Sequence, residues 1–125
     1  MSSILIVDDS KLSRNFLKRI LTNAGYETSE AKNGREAITM ITQNNPDCIV
    51  LDILMPEMDC LEVLEELKSK GVNVPVIIHS ADIQKSTRDK CFELGAIIFL
   101  NKPPEESKLL DAVQKAIAAK KGSNQ

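Results

Sequence analysis

Apolar residues fall along this chain in two alternating textures: short unbroken runs, and longer stretches where they recur every three or four positions. The unbroken runs are Ile4–Val7, Cys48–Leu51, Val74–His79 and Ile97–Leu100. Short Ile- and Val-rich runs bounded by breakers predict buried strands. The more polar run Tyr26–Ala31 predicts a strand at a sheet edge. The helical texture fills the gaps. Leu12, Phe16, Leu17, Ile20 and Leu21 share one face, with Lys11, Arg14, Lys18 and Arg19 elsewhere. Ala37, Ile38 and Ile41 mark a second helix, and Leu61, Val63, Leu64 and Leu67 a third. A fourth runs to Leu94, and Leu109, Val113, Ala116 and Ile117 mark a fifth that starts at Glu105. Ser10 is the expected N-cap of the first helix and Asp82 or Ser86 of the fourth. Gly25, Gly71 and Gly95 are expected stops, and Asn33-Gly34 a turn.

Strand and helix thus alternate five times with short connections. That pattern implies an α/β fold: a doubly wound, five-stranded parallel (βα)5 sheet with helices on both faces. The chemistry-bearing residues lie just past the strands. Asp8-Asp9 follow the first, Asp52 the third, Ser80 the fourth and Lys102 the fifth. In open parallel sheets the carboxyl edge is where ligands bind. Acids, a hydroxyl and an ammonium gathered there point to Asp52 as a nucleophile toward phosphorus.

Composition narrows the setting. The chain has 125 residues, enough for one domain, read as residues 1–121 with a disordered tail at 122–125. A net charge of −2 offers no basic field for nucleic acid. Three cysteines, in or near buried elements, fit a reducing interior better than a disulfide framework. No apolar run approaches the roughly 18 residues of a membrane span, and residues 1–7 lack a basic leader region. The expectation is a cytoplasmic protein without membrane or direct nucleic-acid contact.

Taken together, Asp8-Asp9, the stretch Asp-x-x-Met-Pro-x-Met-Asp (52–59), Ser80-Ala81 and Lys102-Pro103 resemble the receiver domain of two-component response regulators, CheY-like, over roughly residues 3–120. The resemblance implies the flavodoxin-like strand order 2-1-3-4-5. It implies Mg2+, or Mn2+ in its place, ligated by Asp9, Asp52 and the backbone carbonyl of Leu54, with Asp8 acting through water. It makes Asp52 the phosphoacceptor, with Lys102 and Ser80 completing its catalytic set, and Ser80 and Phe99 the switch pair. A cis Lys102-Pro103 bond is also implied. The implied partners are a sensor histidine kinase or phosphotransfer protein and a downstream protein that docks on the fourth helix, fifth strand and fifth helix. Stand-alone signalling by protein contact, of chemotaxis or phosphorelay type, is the expected output. The alternatives are a receiver excised from a larger regulator and a Mg2+-dependent phosphatase acting through an aspartyl phosphate. Such phosphatases usually carry a second acid two residues past the nucleophile, where this chain has Leu54. A flavin-binding module on the same fold is disfavoured, because Asp8-Asp9 would repel its phosphate.

The chain departs from the family at several places. Cys60 stands where Gly is usual, and Pro104 where Phe or Tyr is common. Ile97-Ile98 replaces a more polar pair; alternation should bury one and turn the other outward, where with Phe92 it makes an apolar output face. Leu54 and Asp82, two past Asp52 and Ser80, tune the lifetime of the phosphoryl group in this family. An apolar Leu54 cannot orient water, so slow hydrolysis is expected. His79 reads as a packed core histidine rather than a catalytic one.

Overall fold

The computed structural model describes residues 2–52, 60–81 and 84–123. Among the described residues ten elements alternate: β1 (Ser3–Val7), α1 (Lys11–Asn23), β2 (Glu27–Ala31), α2 (Gly34–Gln43), β3 (Cys48–Leu51), α3 (Cys60–Ser69), β4 (Val76–Ser80), α4 (Lys85–Glu93), β5 (Ala96–Asn101) and α5 (Glu106–Ser123). The strands form one parallel sheet in the order β2-β1-β3-β4-β5, with β2 at an edge as its polarity requires.

Alternation along the central strands divides the core in two. Leu5, Val7, Ile49, Leu51, Val76 and Ile78 face α2, α3 and α4, packing on Ile41, Val63, Leu64, Leu67 and Cys91. Ile4, Ile6, Cys48, Val50 and Ile77 face α1 and α5, packing on Leu17, Ile20, Leu21, Leu109, Val113 and Ile117. Because both faces are covered, β3 and β4 are buried at every position.

The helix ends follow local chemistry. The Ser10 side chain accepts a hydrogen bond from the Ser13 N–H at 3.2 Å, and the Asn33 side chain one from the Glu36 N–H at 2.8 Å. Gly25 follows the cap of α1 with φ +96°, a conformation that a Cβ would strain.

Three expectations change. Leu12, placed by periodicity on the inner face of α1, is 82% exposed. It sits in the first turn of the helix, while the buried residues of α1 begin at Leu17. The N-cap of α4 is Gln84, which makes no side-chain capping bond; Ser86 lies inside the helix, and Asp82 lies outside the described residues. The last helix runs to Ser123, past the expected boundary at 121, since the pattern that anchors it ends at Ile117 and leaves its final turns unmarked. Cys60 opens α3 in helical backbone, which any L residue adopts, so replacing Gly there carries no conformational cost.

The Ile97-Ile98 pair is resolved by an irregularity. Val76 pairs with Ala96 but Ile77 pairs with Ile98, so β5 carries one extra residue, Ile97. The bulge leaves Ile97 41% exposed and turns Ile98 into the cluster beneath α1 and α5. Phe92, on α4, is equally exposed.

Candidate functional site

The carboxyl edge of the sheet gathers the polar groups. Asp8 follows β1 directly, Asp52 follows β3, Ser80 ends β4 and Lys102 follows β5. Because β1, β3, β4 and β5 are consecutive in the sheet, these groups meet at one end of it. Carboxylate oxygens of Asp8, Asp9 and Asp52 lie within 4.8 Å of one another. Asp8 and Asp52 are almost fully buried, while Asp9 is exposed.

Lys102 answers this negative charge. Its Nζ donates to Asp8 Oδ2 at 2.8 Å and lies 3.5 Å from Asp52 Oδ2. The backbone supports that reach, as the Lys102 N–H donates to the Ser80 carbonyl at 2.9 Å. The bond from Lys102 to Pro103 is cis, as the resemblance implies. Burial alone would push the Asp8 carboxyl up. The Lys102 ammonium, the Ser13 side chain and the Ser10 N–H at 2.8 Å outweigh it and hold that carboxyl below its ordinary value. Burial would likewise push Lys102 down, but Asp8 and Asp52 hold its pKa above the ordinary lysine value.

The loop carrying Asp8 and Asp9 is tied at its backbone. The Asp8 N–H donates to the Ala31 carbonyl at 3.1 Å. The Asp8 carbonyl accepts from Arg14 Nη1 at 2.6 Å, and Arg14 Nε donates to Glu30 Oε1 at 3.2 Å. Lys18 Nζ lies 3.5 Å from the other Glu30 oxygen.

Beside the acids, a groove of about 650 Å³ opens between α1 and the segment after β5, lined among others by Leu12, Phe16, His79, Lys102 and Pro104. His79 is buried at its floor, and burial together with the Lys102 charge takes its pKa down to about 4, against a smaller opposing pull from Asp8. The expectation of a packed histidine agrees with this position. Phe99 is half-buried against the α2–α4 core, with the Arg88 guanidinium over its ring 5.8 Å from the centroid.

The structure therefore brings Asp8, Asp9, Asp52, Ser80 and Lys102 to one edge. It places Phe99 two strand positions before the end of β5, in register with Ile78. The Leu54 carbonyl lies outside the described residues, as does most of the Asp52–Asp59 stretch. Arg14 and Glu30 join the acid loop without having been singled out in the sequence. The available signal was an acid near the carboxyl end of β2, beside β1 in the sheet. Three carboxylates converging on one point suit a hard divalent cation with oxygen ligands, so the residues present fit Mg2+ or Mn2+.

Comparisons with known proteins agree with this geometry. The sequence model of the response regulator receiver domain matches residues 4–114. The chain is 38% identical over 113 residues to the chemotaxis protein CheY of Thermotoga maritima, covering 90% of this chain and 94% of that protein. It is 40% identical over 100 residues to the response regulator MprA of Mycolicibacterium vanbaalenii, covering 80% of this chain but only 43% of that relative's length. Among solved structures, chemotaxis protein CheY4 of Vibrio cholerae superposes with a TM-score of 0.87 at 28% identity, covering 93% of this chain and 98% of that one.

Proposed function

The chain belongs to the receiver domain family of two-component response regulators, and from that premise we propose that it accepts a phosphoryl group on Asp52 from a histidine kinase or phosphotransfer protein and signals by stand-alone protein–protein contact. The observation that carries this reading is the meeting of Asp8, Asp9 and Asp52 within 4.8 Å, with the Lys102 ammonium against two of them.

Asp9 and Asp52 would hold Mg2+ directly, Asp8 through water, with the Leu54 carbonyl as a further ligand. When bound, the cation neutralises charge on the converging carboxylates and on the phosphoryl oxygens. The Asp52 carboxylate attacks phosphorus: an O–P bond forms, the bond from phosphorus to the donor breaks, and its electron pair leaves with the donor. Lys102 releases Asp8 or Asp52 to place its charge on a phosphoryl oxygen, and the Ser80 hydroxyl donates to another. Phosphoryl transfer asks mainly for such positioning and charge neutralisation. This is signalling chemistry on the domain's own carboxylate rather than turnover of a substrate.

Ser80 drawn toward the phosphoryl group leaves room for Phe99 to turn inward, which shifts a pre-existing equilibrium toward an active state. The exposed Phe92 and Ile97 support an output contact on α4 and β5, with a protein target or a second copy of the chain.

Intact-mass analysis after incubation with acetyl phosphate and Mg2+ tests the reading. A single phosphoryl adduct is expected, lost in Asp52→Asn and lost with EDTA. An adduct of equal yield in the Asp52→Asn protein would refute Asp52 as acceptor.

A further inference from the structure

We infer that Arg14, oriented by Glu30, is a positioning residue that aims Asp9 at the metal point. The inference rests on the receiver reading above. Its basis is the peptide joining Asp8 to Asp9. That unit is planar, so fixing its carbonyl fixes the last torsion of Asp8 and, through the shared plane, the position of the Asp9 Cα. The N–H of Asp8 is held by the Ala31 carbonyl and its carboxylate by Ser10 and Lys102. Its carbonyl is held by Arg14 at 2.6 Å. Asp9 is the exposed member of the acid cluster, so the point from which its side chain starts is set by this peptide plane rather than by packing.

Arg14 can do this because a guanidinium offers donors in a rigid fork. One arm reaches the Asp8 carbonyl and Nε reaches Glu30 at 3.2 Å. The Arg14 side chain is only 15% exposed, and Glu30 also receives Lys18. Glu30 lies on β2 opposite Ile6 of β1, so the sheet itself sets the anchor. The arrangement is the outer support that a ligating carboxylate commonly needs.

The sign of the effect separates positioning from charge. Arg14 is a cation near a site for a cation. If it acted only through its field, removing it would tighten metal binding. If it positions Asp9, removing it weakens binding despite the relief of repulsion.

The test is a titration of the full chain with Mn2+ alone, followed by its paramagnetic effect on water relaxation. Melting in EDTA is measured on the same proteins, and the acetyl phosphate adduct on each. Arg14→Met is expected to weaken Mn2+ binding about tenfold or more, the scale for loss of an outer-shell partner. Arg14→Lys, which keeps the charge but not the fork, is expected to fall between. Glu30→Ala, which leaves the guanidinium unanchored, is expected to weaken binding too, and adding it to Arg14→Met should cost nothing further. If Arg14→Met does not fold, Arg14→Lys, which leaves the field unchanged, carries the comparison alone. Unchanged or tighter Mn2+ binding in Arg14→Met, or unchanged binding in Arg14→Lys where that variant stands alone, overturns the inference, as does strict additivity of Arg14→Met and Glu30→Ala. A wild-type chain that takes neither Mn2+ nor a phosphoryl group overturns the receiver reading itself, and this inference with it. A wild type that takes both, beside variants that match it, overturns only the role of Arg14.

Discussion

At His79 the chain places an imidazole with neither ring nitrogen hydrogen-bonded among the described residues, on the floor of the groove beside Lys102. Its folded pKa near 4 lies below the ordinary 6.5, so between these values the unfolded chain binds a proton that the folded one refuses. Stability is therefore full above pH 6.5 and falls as pH drops toward 4, by about 3 kcal/mol in all. Chemical denaturation across that window, with EDTA present, should show the loss in the wild type and not in His79→Leu. A flat wild-type profile would contradict the assignment. The Asp8 carboxyl, held below its ordinary value of 3.8, has the opposite chemistry but the same trend, and its contribution disappears only below the His79 window. Residues of this kind differed in legibility. Asp8, Asp9, Asp52, Ser80 and Lys102 could be read from the sequence because each follows an apolar run whose end it marks. Arg14 could not, since off the apolar face of α1 it looks like any solvent-facing cation, and its partner Glu30 is on a different element. Leu12 misled for the converse reason: periodicity gives the angle around a helix axis but not whether anything lies opposite that turn.

The strands and four of the helices were legible from apolar runs and helical spacing, while α4 was marked only by the stop at Gly95; Ser10, Asn33 and the glycines set several of the ends. The bulge in β5 was not, because a two-residue period cannot reveal an extra residue whose flanks, Ala96 and Ile98, are both apolar. The shift decides which isoleucine faces out. Ile97 joins Phe92 at the surface, while Ile98 packs inward. If the output contact is self-association, sedimentation with a phosphoryl mimic such as beryllofluoride should show a dimer in the wild type and a monomer in Ile97→Asp. Ile98→Asp should lose stability instead, because it buries a carboxylate in an apolar cluster. A monomer throughout, with unchanged signalling in Ile97→Asp, would remove the apolar face from the output.

For the molecule as a whole, three acids at one point are a standing electrostatic cost that a cation relieves. Mg2+ should therefore stabilise the native state by mass action, by about 2.7 kcal/mol at a concentration 100 times its dissociation constant. Thermal melts with increasing Mg2+ should show a rising midpoint in the wild type and little change in Asp9→Asn. Equal shifts in both would place the ion elsewhere. The parallel fold agrees with the sequence reading because five alternations leave few topologies open, and the strand order is the one the resemblance implied. The sheet that gathers the acids also separates two cores that share none of their buried residues. Substitutions facing α2–α4 and substitutions facing α1 and α5 then have few common neighbours, and their effects on stability should largely add. In evolutionary terms the residues on one side of the sheet can drift while those on the other stay as they were, with no compensating change required across the wall between them.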